Sequence, residues 1–200
     1  MNANSLQELV GDTDIYLLDQ IMKGRYKPTD KILDAGCGTG RNLRWFLKEH
    51  IDVYGIDLDP RSIEKLKAVN DLISPGQFQS GTVEHLPFEN SFFDHVISSA
   101  VLHFANSTSQ FRDMLSEMLR VLKPGGSLFI RMTSDIGIEH RVNFVQDGVY
   151  IIPDQSKRFL LTRSLLADIL HQYPLSFLEP FKTVNVDDTR CMSTLVFEKK

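Results

Sequence analysis

Three glycines at alternate positions follow a short apolar segment and could bring a ligand against the backbone. The segment Lys31–Ala35 is predicted to form a strand, which leads into Gly36, Gly38 and Gly40 before a helical pattern starts at Arg41. Because glycine has no Cβ, the chain can turn sharply there and lie close to a bound molecule. The first N–H groups of the following helix have no partner within the helix and would point toward that molecule. This arrangement predicts a binding loop at the end of a strand.

The spacing of these glycines distinguishes the loop from two common nucleotide-binding loops. A dinucleotide-binding loop has the pattern G-x-G-x-x-G, which would require a glycine where the chain has Arg41. The pattern G-x-x-x-x-G-K-[S/T] of triphosphate-binding loops is absent from the sequence. The loop therefore fits neither a dinucleotide pyrophosphate nor a triphosphate well, and Arg41 counts against a nicotinamide-dependent dehydrogenase.

The elements that would position this loop alternate between short β-branched segments and helical patterns. Such alternation is typical of βαβ units and a mostly parallel sheet. After Lys31–Ala35, strands are predicted at Asp52–Ile56, Gln77–Gly81, Phe93–Ser98, Ser127–Thr133, Thr183–Val186 and Cys191–Phe197. Helices are predicted at Asp14–Met22, at Arg41–His50, after the Asp59-Pro60 cap, between Phe111 and Leu122, and at Thr162–Leu170. The turn signal Asp187-Asp188 would join the last two strands as a hairpin.

Two segments fit this alternation less simply. In the N-terminal helix, one face carries the apolar residues Ile15, Leu18, Ile21 and Met22, which predicts packing, whereas Tyr16 lies off that face. Residues 135–158 show no clear period, and a segment of this length within one domain is usually a lid or a binding loop. The alternative for this segment is an ordinary short strand or hairpin.

The composition limits the class of protein. The 200 residues are 42% hydrophobic and 24% charged, which is typical of one globular domain. Lys and Arg number 22 against 26 Asp and Glu, and the resulting net charge of −4 disfavours a nucleic-acid-binding protein. Cys37 and Cys191 are the two cysteines, which favours the reducing cytoplasm. We expect no signal peptide, membrane helix or metal site, because neither their apolar runs nor zinc-ligand spacings occur.

Five segments, in order along the chain, resemble the class I S-adenosylmethionine-dependent methyltransferases. They are Asp34–Gly40, Tyr54–Asp57, Gly81–Phe88, Ser91–Ser98 and Leu119–Gly126, and the resemblance covers roughly residues 30–133. It implies an α/β fold with a doubly wound, mostly parallel seven-stranded sheet whose last strand is antiparallel. It also implies an enzyme that transfers a methyl group from S-adenosylmethionine by in-line displacement and leaves S-adenosylhomocysteine.

The resemblance assigns roles to the glycine loop and to two carboxylates. The three glycines would let the methionine part of the cofactor lie against the backbone. Asp34 would bind its amino group directly or through water, and Asp57 would accept hydrogen bonds from the ribose hydroxyls. Two alternatives stay open: Asp34 only caps the loop, or Asp59 binds the ribose while Asp57 caps the next helix.

The loop Gly81–Phe88 would hold the adenine. The family usually has an acidic residue where this chain has Thr82, and a neutral acceptor binds the adenine amino group more weakly. The backbone N–H groups of Val83 or Glu84 could bond to a ring nitrogen. Apolar walls for the purine would come from Leu58 and Leu86, although both could equally be core residues.

Further contacts are expected around these motifs. Tyr16 would approach the cofactor from the N-terminal helix, Asn42 would reach the loop or the cofactor carboxyl end, and Ser98 lies where strand four ends. Arg41 is expected to be exposed and solvated. The complete set of expected cofactor-binding residues is Tyr16, Asp34, Ala35, Gly36, Cys37, Gly38, Gly40, Asn42, Asp57, Leu58, Thr82, Val83, Glu84 and Ser98.

His103, just beyond strand four, is the candidate general base, because an unperturbed pKa near ~6.5 suits that task. The alternative is a structural histidine at the pocket wall. The expected partner is a small-molecule methyl acceptor, with no nucleic acid and no membrane, for a monomer or homodimer. The competing functions are methyl transfer to protein or RNA, and cofactor binding without turnover.

The resemblance also divides the single predicted domain of residues 1–200 into four parts. These are an N-terminal helical cap (1–29), a cofactor-binding core (30–133), a lid or substrate segment (134–160), and a C-terminal helix with a strand hairpin (161–200).

Overall fold

A computed structural model describes residues 3–68, 74 and 76–200, with side chains from residue 6 onward. Residues 1 and 2 of the predicted N-terminal cap lie outside this range.

The helices are α1 (Ala3–Val10), α2 (Ile15–Met22), α3 (Arg44–Lys48), α4 (Pro60–Ala68), α5 (Thr108–Val121) and α6 (Arg163–Gln172). The strands are β1 (Lys31–Ala35), β2 (Asp52–Asp57), β3 (Phe78–Ser80), β4 (Phe93–Ser99), β5 (Leu122–Ser134), β6 (Asn143–Gln146), β7 (Val149–Ile151), β8 (Lys157–Phe159), β9 (Leu175–Phe177), β10 (Lys182–Val186) and β11 (Arg190–Lys199). One-turn 3₁₀ helices form at Leu102–Phe104 and Glu139–Arg141.

The main sheet has the strand order β10-β11-β5-β4-β1-β2-β3, and the short β9 pairs with the far end of β11. Strands β1 to β5 are mutually parallel, whereas β11 runs antiparallel to β5 and β10. The predicted seven-stranded, mostly parallel sheet with an antiparallel last strand is therefore confirmed, with β9 added to it. The register places Asp34 beside Ile97 and Ala35 beside Ile56, so β1, β2 and β4 end together.

Helices cover both faces of this sheet, as a doubly wound fold requires. On one face α5 and α6 pack onto the sheet through Phe111, Leu115 and Leu166, among other buried residues. On the other face the helices α2, α3 and α4 contribute Leu17, Phe46 and Ile63 to a second cluster. The two apolar layers hold the sheet rigidly, so its carboxyl ends form a fixed base for the loops.

Most element boundaries agree with the predictions, and the differences have local causes. Ser107 accepts a hydrogen bond from the Gln110 backbone N–H (3.1 Å) and starts α5 three residues before the predicted Phe111. The helix after the glycine loop is shorter than predicted, because residues 41–43 form turns and α3 begins at Arg44. Strand β5 starts at Leu122 rather than Ser127, since Leu122 already pairs with Phe93 before a bulge.

The predicted apolar face of the N-terminal helix is wrong in part. Ile15 is 70% exposed and Met22 is 80% exposed, whereas Leu17 and Gln20 are buried. The contacts of Asp14, described below, fix how α2 rests on the sheet. Those contacts turn a different face inward from the one that the periodicity indicated.

Residues 143–159 form a small antiparallel sheet, β6-β7-β8, beside the main one. This matches the alternative of ordinary short strands for the irregular segment. The Phe159 ring stacks on Phe111 at a centroid distance of 4.9 Å, which anchors the small sheet at the start of α5. A role for residues 134–160 as a lid or substrate segment stays a prediction, as does the division of residues 1–200 into four parts.

Within the described residues no helix is both long and apolar enough to cross a bilayer.

Candidate active site

A cavity of about 460 Å³ opens where the parallel strands end, within the range of small-molecule and cofactor sites. The residues that line it are Gly36, Asp57, Leu58, Gly81, Thr82, Val83, Glu84, Ala100, Val101, Phe104, Asn106, Gln110 and Met114. Six of the expected cofactor-binding residues are in this set. Ligands of open α/β sheets bind at this edge, because the strand ends and the following loops converge there.

The glycine loop forms the turn that its sequence predicts. Gly36 adopts φ +88°, and a Cβ at this position would collide with the Val101 side chain. Gly38 adopts φ +53°, and a Cβ there would meet no atom within 4 Å, so the backbone faces open space. The Gly36 and Cys37 N–H groups donate to the Ile56 carbonyl (2.8 and 2.9 Å), which fixes the turn against β2. The loop is therefore rigid and exposes bare backbone.

Asp57 ends β2 and lies at the cavity wall. Its Oδ2 accepts a hydrogen bond from the Gly38 N–H (2.7 Å), and its Oδ1 accepts one from the Asp59 N–H (3.0 Å). Asp59 in turn accepts hydrogen bonds from the Arg61 N–H (3.1 Å) and the Ser62 hydroxyl (3.3 Å), so Asp59 is the cap of α4. The arrangement favours Asp57 over Asp59 for contact with a ligand.

Asp34 is buried at the end of β1, and neither of its carboxylate oxygens has a hydrogen-bond partner among the described residues. It does not cap the loop, so that alternative is wrong. Burial raises the pKa of Asp34 to about 7, with Arg41 lowering it and Asp57 raising it. A buried carboxyl group without partners is rare in folded proteins and indicates a site for a cationic or hydrogen-bonding ligand.

The predicted adenine loop is partly as expected. Thr82, Val83 and Glu84 line the cavity, and the Glu84 carboxylate accepts a hydrogen bond from the Gln110 side chain (2.5 Å). Leu58 also lines the cavity and is 74% exposed, so its apolar side chain is accessible from the cavity. Leu86 is buried in the core and is absent from the lining of this cavity, which matches the alternative of a core residue.

Four other expected residues lie under the cavity rather than in it. Ala35 and Cys37 are buried, and a Cβ at Gly40 would collide with Leu66. These three positions shape the loop through packing. Ser98 is buried at the end of β4, and its hydroxyl has no partner among the described groups.

Asn42 does not reach the loop as expected. Its Oδ1 accepts a hydrogen bond from the Asp14 N–H (3.1 Å), and it is buried beneath the N-terminal helix. Arg41 is exposed as expected, although its guanidinium donates to the Ser99 hydroxyl (3.4 Å) and the Asp12 carbonyl (3.3 Å). Both side chains therefore tie the glycine loop to the segment before α2.

Tyr16 is half-buried on α2 and is not among the residues that line the cavity. Its ring faces the Arg131 guanidinium at 5.2 Å, and Arg131 forms an ion pair with Asp14 (3.0 Å). Asp14 also accepts hydrogen bonds from the Tyr16 N–H (2.9 Å) and the Ser99 hydroxyl (3.3 Å). These contacts attach α2 to the ends of β4 and β5.

His103 is buried in the 3₁₀ turn, and its Nδ1 lies 3.0 Å from the Thr133 hydroxyl. Burial lowers the pKa of His103 to about 4, helped by Arg158, Arg190 and Arg131. The expectation of an unperturbed pKa is therefore wrong, and His103 is absent from the cavity lining. Its contacts favour the structural alternative.

Several lining residues were not predicted. Ala100 adopts φ +63°, and its N–H donates to the Arg131 carbonyl (2.7 Å), so a strained residue lies at the cavity edge. Val101, Phe104 and Asn106 follow it, and Gln110 and Met114 come from α5. Their position after strand four was the available signal, since the ends of parallel strands gather ligands.

Comparison with known proteins agrees with this geometry. A family model described as a methyltransferase domain matches residues 33–130, which include the glycine loop, Asp57 and the strand-four region. Over residues 33–130 the chain therefore belongs with the methyltransferase domains. It is similar to YodH, an uncharacterised methyltransferase of Bacillus subtilis (strain 168), with 38% identity over 121 residues, which are 60% of this chain and 47% of YodH.

A second relative is the phthiotriol/phenolphthiotriol dimycocerosates methyltransferase of Mycobacterium leprae (strain TN). The two are 35% identical over 120 residues, which cover 57% of this chain and 42% of the relative. The chain thus spans less than half the length of these two curated relatives. A SAM-dependent methyltransferase structure from Methanosarcina mazei superposes with a TM-score of 0.73 at 20% identity, over 90% of this chain and 96% of the other, which shows the shared fold.

The residues of this site fit S-adenosylmethionine. The buried Asp34 carboxyl group has free acceptor sites suited to the cofactor's ammonium. Each carboxylate oxygen of Asp57 accepts one hydrogen bond from a backbone N–H group. The remaining lone pairs can accept hydrogen bonds from the ribose hydroxyls. Bare backbone at Gly38 leaves space for the methionine part.

Proposed function

We propose that this methyltransferase transfers the methyl group of S-adenosylmethionine to a small-molecule acceptor. The observation that carries the proposal is the buried Asp34 carboxyl group, which lies beside the glycine loop and has no hydrogen-bond partner in the described part of the chain. Such a group destabilises the free protein, and a cationic ligand would relieve that cost. Asp57 at the cavity wall supplies the matching position for the ribose.

When bound, S-adenosylmethionine supplies an electrophilic methyl group on a positively charged sulfur. Asp34 binds the amino group, and Asp57 orients the ribose. Thr82 and the backbone of Val83 face the adenine, with Leu58 as an apolar wall. The loop from Gly36 to Gly40 sets the position of the methionine part. The proposed role of Ser98 is indirect, through the end of β4.

The same cavity extends to an apolar region suited to the acceptor. Val101, Phe104 and Met114 line that part of the wall, and Phe104 is 60% exposed. A concave, largely apolar site of this size favours a small molecule over a protein or RNA strand. The net charge of −4 and the Mycobacterium leprae relative, named for phthiotriol substrates, support the same choice.

Catalysis would come chiefly from positioning and from exclusion of water. Among the described lining residues the titratable ones are Asp57 and Glu84, and both are engaged in hydrogen bonds within the chain. His103 is held by Thr133 with a pKa of about 4. Aligned reactants can gain roughly 7–11 kcal/mol from proximity alone. The site therefore suits an acceptor whose nucleophile is already deprotonated.

Both cysteines are free and buried, which supports the cytoplasm as the compartment. Whether the protein is a monomer or homodimer stays a prediction.

Calorimetric titration with S-adenosylhomocysteine tests the cofactor assignment. Asp57→Asn keeps the shape of the side chain but removes its charge, and we expect about tenfold weaker binding because a charged hydrogen bond becomes a neutral one. Asp59→Asn is the matched control: it alters the α4 cap two residues away and should leave the affinity within about twofold. Wild-type protein that binds neither S-adenosylmethionine nor S-adenosylhomocysteine would overturn the proposal.

A further inference from the structure

Three arginines lie near His103, the residue that precedes Phe104 of the cavity wall. Arg131, Arg158 and Arg190 all act electrostatically on His103, whose neighbour Phe104 lines the cavity. They come from distant parts of the chain: β5, β8 and β11. The fold therefore concentrates positive charge beside an apolar wall, although the chain as a whole carries a net charge of −4.

Two of these arginines are already paired. The Arg131 guanidinium lies 3.0 Å from the Asp14 carboxylate, and the Arg190 Nε lies 3.8 Å from the Asp154 carboxylate. Asp154 also accepts a hydrogen bond from the Ser156 N–H (2.9 Å). Its charge acts on Arg158 as well, but at longer range than an ion pair.

Arg158 differs from the other two. Its guanidinium donates to the Lys157 carbonyl (2.7 Å) and lies over the Phe104 ring at 5.1 Å, and within the described part of the chain it forms no ion pair. Strand β8 holds it there, because the adjacent Phe159 stacks on Phe111 and Arg158 itself pairs with Tyr150 of β7. Arg158 itself is outside the cavity lining, but it is held against Phe104, which lines the cavity. A half-buried guanidinium with spare donors in this position suits a carboxylate, sulfonate or phosphate.

We propose that the methyl acceptor carries an anionic group that Arg158 binds, while its apolar body lies against Phe104. This inference rests on the proposed function and narrows it to amphiphilic anions. The anionic group anchors the acceptor at the rim, so the remainder of the molecule points along the wall toward the glycine loop. Arg158 is a specificity-determining residue in this scheme and takes no part in moving protons.

Two fluorescent probes with the same aromatic body, one with and one without a sulfonate, distinguish the contribution of charge to binding from that of apolar contact. The first, 8-anilinonaphthalene-1-sulfonate, has an aromatic body with a sulfonate, and the second, N-phenyl-1-naphthylamine, has the same body without it. We expect the sulfonate probe to bind the wild type more tightly, and its affinity to fall about tenfold in Arg158→Gln, since a charge-assisted hydrogen bond is lost. The affinity of the uncharged probe should not change.

Control variants locate the effect. Arg163→Gln removes an exposed arginine that acts on Asp135 and Glu139 rather than on His103, and it should bind both probes as the wild type does. Arg158→Lys keeps a charge without the planar fork, and it should restore part of the sulfonate affinity. Ionic strength can be varied with the wild type alone. Added salt should weaken binding of the sulfonate probe and leave binding of the uncharged probe unchanged.

Equal affinity of the sulfonate probe for the wild type and a folded Arg158→Gln would overturn the proposal. So would equal affinity of the two probes for the wild type, whatever the variants do. Titration of S-adenosylhomocysteine into the same samples tests the cofactor assignment separately from the anionic subsite. If that titration fails, the cofactor assignment fails, whereas the probe comparison still decides the anionic subsite.

Discussion

At the scale of single residues, the position of Asp34 is set by a local motif, whereas its burial without hydrogen-bond partners depends on distant parts of the chain. Its position before the glycines identified it from the sequence, because the motif is contiguous. Its lack of partners could not be predicted, since it depends on which side chains other strands bring to the end of β1. Burial without a partner raises the pKa of Asp34 to about 7 from the ordinary value of 3.8. This residue therefore lowers the stability of the free protein near neutral pH.

Asp34→Asn should stabilise the free protein at pH 8. The native state holds the Asp34 proton more tightly than the unfolded state does, so that contribution is present at low pH and is lost as the pH rises from about 4 to about 7. Asparagine does not ionise, so the variant does not lose stability as the pH rises through this range. Its free energy of unfolding at pH 8 should therefore exceed that of the wild type by on the order of 2 kcal/mol. Urea unfolding at pH 5 and pH 8 measures the difference.

The control for this experiment is Asp12→Asn, because Asp12 is exposed and the substitution should alter stability little at either pH. The same Asp34→Asn protein should bind S-adenosylhomocysteine more weakly. A variant that is less stable than the wild type at pH 8 would contradict the interpretation of Asp34 as an uncompensated buried group.

Other single residues show why site prediction from sequence is incomplete. Gly36, Gly38 and Asp57 follow from local chain geometry, and they form the loop and wall that the motif indicates, whereas Gly40 packs against Leu66. Asn42 instead accepts a bond from Asp14, 28 residues away, and His103 contacts Thr133, 30 residues away. Both partners are set by tertiary packing, which no local pattern records.

At the scale of elements, one buried carboxylate fixes how the helix α2 is oriented, in addition to the packing of Leu17. Asp14 caps α2 through the Tyr16 N–H and pairs with Arg131, and its own N–H donates to Asn42. An eight-residue helix has only two turns, so its periodicity could not decide which face is buried. This explains why Ile15 and Met22 were misplaced while strands with clear hydrophobic runs were not.

Asp14→Ala should destabilise the protein by about 2–4 kcal/mol, because it removes a helix cap and leaves Arg131 without its partner. Hydrogen exchange of the α2 amides should accelerate more than that of the β4 amides. Asp12→Ala, two residues earlier and exposed, should change neither quantity. Equal effects of the two substitutions would mean that α2 is held by its remaining packing.

At the scale of the whole molecule, two thiols lie in different layers of one rigid fold. Cys37 is buried in the glycine loop, and Cys191 is fully buried in β11. Burial raises the pKa of both thiols, so little thiolate is present at pH 8 in the native state. Reaction with a thiol reagent therefore requires the surrounding structure to open.

Labelling with 5,5′-dithiobis(2-nitrobenzoate) at pH 8 should be slow in native protein and should reach two thiols per chain in denaturant. In Cys37→Ala only Cys191 can react, and its labelling rate should approach the rate of global unfolding. In Cys191→Ala only Cys37 can react, which gives its labelling rate separately. Rapid native labelling of both thiols would show that the layers open independently of unfolding.

The antiparallel strand β11 has a consequence for how the chain is made. It lies between β5 and β10 and pairs with β5 from Ser127–Glu198 to Ser134–Cys191. On the ribosome, β5 therefore emerges more than fifty residues before the strand that completes its edge. Until residues 190–199 are synthesised, the nascent chain presents an apolar strand that can pair with a neighbouring chain. Slow translation between β5 and β11 would prolong that exposure and increase the demand for a chaperone.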